Sequence, residues 1–173
     1  MGTRIASGVS EYPAGSESAT YSVTVPGTVA VGDVLIATLE AANNSFGITA
    51  APTTNARQLI TGLASGGSHY HGGVWAVRIG SVGQTLSWTW GGVVRGSLAW
   101  TVIRGADIAT IVAAVTSFSG NYLAPSITAP AYSMIYAGIS MGSGSATGSW
   151  PGGWVQLTDP NQRQGLIASR GIQ

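Results

Sequence analysis

Few side chains in this sequence could carry chemistry, and their spacing says which chemistry to test. His69 and His71, in the stretch SHYHGG, lie two residues apart and would share one face of a strand. Such a pair can begin a metal site, which also needs a third ligand and groups that orient the rings. Third ligands are scarce: the carboxylates are Glu11, Glu17, Asp33, Glu40, Asp107 and Asp159, and there is no cysteine. The histidines therefore read as polar surface residues open to a partner, with no metal bound. A glycosidase would need two carboxyl groups about 5 to 10 Å apart in a cleft. Asp33 opens a strand after a turn, Asp107 follows a strand exit, and Asp159 sits in a DPN turn, roles that side-chain bonds to the backbone explain. Glu40 closes a strand, and Glu11 and Glu17 fall in a polar N-terminal loop. No catalytic pair emerges, so no enzyme is expected.

Two further stretches could bind rather than react. SWPGGWVQL places Trp150 and Trp154 at either end of a tight bend, as a sugar-stacking pair or as a loop clamped onto the end of a domain. GSGSATG (142–148) is followed by no helical pattern, so it is no dinucleotide loop. Without lysine there is no phosphate-gripping ammonium and no Schiff base. No cofactor is implied.

Composition narrows the class. Charged residues make up 8% of the 173 residues, against roughly 25% in ordinary soluble proteins. A formal net charge of +1 leaves no basic field for nucleic acid or anionic lipid. The longest apolar run, IATIVAAV (108–115), is far too short to span a membrane, and MGTRIASGVSEY has no apolar core for a secretory leader. So neutral a surface, coated by serine, threonine and glycine, suits a protein packed in an assembly.

The elements that must position these residues are short and β-patterned. YSVTV (21–25), DVLIATLE (33–40), GVWAVRI (73–79), TLSWTW (85–90) and SLAWTVI (97–103) alternate apolar with small or polar residues, and glycine and proline punctuate them. Trp75, Trp88, Trp90 and Trp100 fall on the apolar rows and are the expected core. GGVVRG (91–96) has the length of a hairpin turn, which predicts that 85–90 pairs with 97–103. The β-branched content of ADIATIVAAV (106–115) predicts a strand. The pattern reads as all-β: one antiparallel β-sandwich over 1–173, jelly-roll-like, with residues 1–18 as an N-terminal arm or edge segment. The stretch from DVLIATLE to GGVWAVR also has the same order of parts as that from YSMIYAGIS to QGLIASR, which chance or duplication explains equally well.

Three parts of the chain carry a resemblance: VPGTVAVGDVLIATLEA (25–41), LAWTVIRGADIAT (98–110), and APAYSMIYAGIS (129–140) with WPGGWVQL (150–157). Their order of "GD", apolar strand, "RG-x-D" corner and "P-x-GW" turn resembles small β-sandwich domains in virion proteins of phages that infect actinobacteria. The resemblance implies a non-enzymatic structural protein of the particle, most often a minor tail protein, made in the host cytoplasm. Other readings are a capsid decoration protein, or a module at the tail tip that binds a receptor or a host-surface glycan. The implied partners are other virion proteins and further copies of the chain, for instance as a trimer. Two departures stand out: APTTNARQL (51–59) lacks the tryptophan expected there, and the chain reaches Gln173 before the family's final hairpin. The second predicts a sheet edge that another virion chain completes.

Overall fold

The computed structural model describes residues 2–41, 46–61, 71–111, 134–139, 155–158 and 166–171, with side chains for 2–41, 46–61 and 73–111. These contain eleven strands: β1 (Thr3–Tyr12), β2 (Ser18–Thr24), β3 (Val34–Ala41), β4 (Ile48–Ala50), β5 (Ala56–Ile60), β6 (His71–Arg78), β7 (Thr85–Val94), β8 (Gly96–Arg104), β9 (Met134–Ile139), β10 (Val155–Thr158) and β11 (Leu166–Gly171). No helix occurs among the described residues. β1 to β8 form two antiparallel sheets, ordered β1-β8-β3-β6-β5 and β2-β7-β4, and β10-β11-β9 form a third. These strand orders show an antiparallel two-sheet sandwich and nothing specific to a jelly roll.

Strand patterning sets which faces meet. In β7 the residues of TLSWTW alternate between exposed and buried, so Leu86, Trp88 and Trp90 face inward and Thr85 and Ser87 face out. Opposite them stand Leu35, Ala37 and Leu39 of β3, Trp75 and Val77 of β6, and Leu98, Trp100 and Val102 of β8. Trp75 and Trp88 meet edge to face with ring centroids 6.3 Å apart. β3 and β8 are buried along nearly their whole length, as strands covered on both faces must be. On the outer side of the five-stranded sheet, Val34, Ile36, Ala76 and Ile103 make a second apolar cluster, against which Ile108 and Ile111 pack.

Two turns at one end share a device. Ala30–Asp33 and Ser81–Gln84 both read x-Val-Gly-x, and Gly32 and Gly83 take the positive φ (93° and 74°) that this kind of turn requires at its third residue. In each, the fourth side chain accepts from the first residue's N–H: Asp33 Oδ2 from Ala30 at 2.9 Å, and Gln84 Oε1 from Ser81 at 3.1 Å.

Several expectations need correcting. β7 and β8 do not pair with each other. β7 lies between β2 and β4, β8 lies between β1 and β3, and the chain changes sheets at Arg95. Laid side by side, the two tryptophan rows would need a third surface to cover them; placed in opposite sheets, they cover each other. GGVVRG is accordingly strand at both ends rather than a hairpin turn. Gly96 is what lets β8 start there, because a Cβ on it would fall on the Glu40 carbonyl oxygen, 2.6 Å from the Tyr21 hydroxyl and 2.9 Å from the Ala41 Cα. Within the segment expected to be a strand over 106–115, residues 107–110 form a turn instead: Asp107 Oδ1 accepts from the Ala109 N–H, and its carbonyl accepts from the Thr110 N–H and hydroxyl. Local polar bonding by the aspartate outweighs the β-branched preference there. Glu11 lies on β1, the edge strand paired with β8, and not in a loop.

Two stability outcomes follow. Gly96→Ala should cost about 3 kcal/mol in urea unfolding, since it forces a methyl into backbone atoms of β3 that cannot yield. Neither Trp88 nor Trp90 has an acceptor for its buried indole N–H. Trp88→Phe should therefore cost much less than Trp88→Ala, for which about 3 to 5 kcal/mol is expected.

Candidate functional site

The groups best able to do chemistry gather at the end of the sandwich where β3 begins and β6 and β8 finish. Asp33 is 4% exposed and receives two bonds from one guanidinium: Arg104 Nε to Oδ1 at 3.0 Å and Nη2 to Oδ2 at 2.9 Å. Arg104's donation holds the Asp33 carboxyl below its ordinary range; burial opposes this and the Ala30 amide reinforces it. Beside them Arg78 Nη2 lies 3.5 Å from Asp107 Oδ1, with both side chains well exposed. Arg57 Nη1 donates to the carbonyls of Ile108, Ala109 and Ile111 at 3.1, 3.0 and 3.2 Å. Those bonds fasten the turn after β8 onto β5, over the outer apolar cluster.

This constellation is built to hold structure. An ionised Asp33 whose oxygens already accept three bonds is neither a general acid nor a free nucleophile. Tyr21 shows the same economy: burial, and Tyr12 stacked on it at 3.9 Å, push its phenol well above the ordinary range. It stays protonated and donates to the Val94 carbonyl at 3.2 Å, next to the sheet-changing corner. Perturbed groups often mark catalytic sites; here both are joints between elements.

Among the described residues, two of the shallow clefts lie on the side where β4 leads into β5. One, of about 210 Å³, is lined by Thr49, Gln58 and Trp75, among others. The other, also about 210 Å³, is lined by Asn55, Arg78, Gln84 and Leu86 among others. Trp75 is 5% exposed, so the first cleft presents no open indole face for a sugar to stack on. Gln84 Oε1 in the second already accepts from Ser81. Among the described residues no three of His, Cys, Asp and Glu come together as a metal site would need.

The outer face of β2-β7-β4 is different in kind. Thr20 stands opposite Thr89, Ser22 opposite Ser87, and Thr24 opposite Thr85. The hydroxyls of the two threonine pairs lie 3.5 and 3.2 Å apart, and Thr49 adds a bond to the Thr89 carbonyl at 3.2 Å. None of the three strands carries a charged residue. The face can bond to hydroxyl, amide or backbone groups, and it presents no charge that must be neutralised on contact.

Of the residues singled out from sequence, Trp75, Trp88, Trp90 and Trp100 are buried. His71 is the first residue of β6, paired with Ala41. His69, Trp150, Trp154 and Asp159 lie outside the described residues, as does GSGSATG. Sequence reasoning missed the Asp33–Arg104 and Arg57 joints, although "GD" and "RG-x-D" had drawn notice as motifs. It also read the Thr85, Ser87, Thr89 row only as the reverse of the tryptophan row. In comparisons with known proteins, the chain matches no family model, no curated protein and no solved structure.

The Asp33 joint has a pH signature. Its folded pKa lies below the unfolded value of about 3.9. The stability it confers is therefore complete above that value and is lost as pH falls through the lower, folded one. The melting temperature of the unaltered chain should fall steeply below about pH 4, and Asp33→Asn should start less stable at neutral pH but show a shallower acid decline. Parallel acid limbs for the two proteins would show that the joint contributes nothing.

Proposed function

We propose that the chain is a non-enzymatic structural subunit of a bacteriophage particle, a minor tail protein. Its partners are then other virion proteins and its own copies, with no cofactor. One observation carries this reading: the motifs behind the resemblance are the joints of the sandwich. Asp33 of "GD" and Arg104 of "RG-x-D" bind each other through paired bonds of 3.0 and 2.9 Å. Asp107 of the same corner meets Arg78 and caps its own turn. Motifs that serve to build a domain are what a structural protein would share with its kin, whereas an enzyme would share reacting groups.

The surface supports the same reading. A hydroxyl-covered, uncharged sheet face suits contact with neighbours in a fixed assembly, where little charge need be stripped of water. A minor tail protein also accounts for 8% charged residues, since solubility as a free monomer is not what such a chain must maintain.

Particles purified from a lysate of the parent phage test this directly. Peptides of the chain should be present after density-gradient banding, and antibody raised against the sandwich should decorate the tail in electron micrographs. Decoration of the shell would favour the capsid reading, and absence from banded particles would reject a virion role.

A further inference from the structure

The described strands leave six sheet edges: β1 and β5, β2 and β4, and β9 and β10. Five of them break register against their neighbour. β1 does so between Arg4 and Ala6, β5 between Gln58 and Ile60, and β2 between Ser18 and Thr20. β4 does so between Ile48 and Ala50, and β10 between Gln156 and Thr158. Such bulges twist an edge away from further pairing and are a standard protection. β9 alone has none: Met134 to Ile139 pair with Gly171 to Leu166 in unbroken register. That behaviour belongs to interior strands, as in the unbroken pairings of β3 with β6 and with β8. The β9 sequence, MIYAGI, also lacks the charge or proline that can blunt an edge.

The third sheet also repeats part of the first. β9-β11-β10 has the strand order and antiparallel sense of β3-β6-β5. One row can be superimposed on the other: Ala37, Trp75 and Gln58 in the first, Ala137, Ala168 and Gln156 in the second. In both, the bulge follows immediately after the glutamine. On that alignment VLIATL of β3 lies over MIYAGI of β9. The order of parts that the sequence suggested thus recurs in topology and in register. In the first copy the far edge of β3 holds β8, antiparallel and in full register. No described strand occupies the same edge of β9.

We infer that β9 is an interior strand of a sheet shared between molecules, and that its second neighbour is β9 of another copy of this chain. A two-fold axis sets two identical strands antiparallel, the sense in which β8 meets β3, and makes the contact self-complementary. An uncharged strand meets no like charge when it pairs with itself. The product is a continuous six-stranded sheet, β10-β11-β9 followed by β9-β11-β10 of the second copy. This deepens the reading of the chain as an assembly subunit and rests on it for its setting.

The test uses the unaltered chain together with Gly138→Lys, which puts a charge on the β9 edge. Sedimentation and hydrogen exchange are followed from about 1 to about 100 μM, a range that brackets a Kd on the order of 10 μM. The expected result is a monomer–dimer equilibrium in which protection of the 134–139 amides rises with the dimer fraction, and a dimerisation midpoint at least about tenfold higher for Gly138→Lys. A monomer throughout overturns the inference, and the exchange pattern then says why. Protected β9 amides would mean that another segment of the same chain closes the edge, and unprotected ones that nothing does. Protection that appears only when a different particle protein is added overturns it as well. The unaltered chain alone decides the question if Gly138→Lys fails to fold. A monomer that is nonetheless found in banded particles leaves the structural role standing, whereas a dimer absent from particles rejects that role and keeps the edge pairing.

Discussion

The contact between Trp75 and Trp88 joins the two sheets, and most of the sandwich is arranged around making such contacts possible. Large rings in a thin domain need space, and small residues supply it. A Cβ on Gly8 would sit 2.6 Å from the Trp100 ring, and one on Gly92 would sit 2.7 Å from Phe46. Trp75 covers Gly73 on its own strand in the same way. Ring and glycine are thus matched, so that a strand lacking a side chain is roofed by a neighbour's indole or phenyl group. The abundance of glycine in this chain is partly a consequence of its tryptophans.

With the interior committed to rings, the polar groups serve as fasteners. The buried Asp33 has its arginine and its turn amide, Arg57 ties a turn to an edge strand through three carbonyls, and the Tyr21 hydroxyl ties β2 to the end of β7. Each fastener lies where the chain leaves one element for the next. Deeply buried carboxylates are costly unless bonded, and Asp33 is bonded on both oxygens. Asp33, Arg57, Arg78, Arg104 and Asp107 all serve such corners, while the outer face of β2-β7-β4 carries hydroxyls.

The edges show a second economy. Bulges accompany five of the six strands that border a described sheet and are missing between strands inside one, so the irregularities of the ladder act as boundary markers. A bulge requires one extra residue and leaves composition unchanged, so a chain with few charges can protect its borders this way. The same economy makes an unbulged border informative, because bulging is the chain's ordinary protection and charge is a scarce substitute.

Sequence alone determined the all-β class and the strands around YSVTV, DVLIATLE, GVWAVRI, TLSWTW and SLAWTVI, because alternation with a period of two is a local property written in consecutive residues. It also determined that Trp88, Trp90 and Trp100 share their rows with Leu86, Leu98 and Val102. Tertiary structure decided which strand lies beside which. TLSWTW and SLAWTVI look like the arms of a hairpin because only six residues part them. Whether two apolar rows lie side by side or face each other depends on what else can cover them, and that depends on strands far away in sequence. The Asp33–Arg104 joint was hidden for the same reason: its partners are 71 positions apart, and a turn aspartate looks alike with or without an arginine across the sheet. The strand pattern of ADIATIVAAV misled at residues 107–110, where a turn forms as Asp107 bonds its own backbone and Arg57 takes up the carbonyls. Periodicity is local and can be read directly; pairing is a choice among distant alternatives, and only the folded chain makes it.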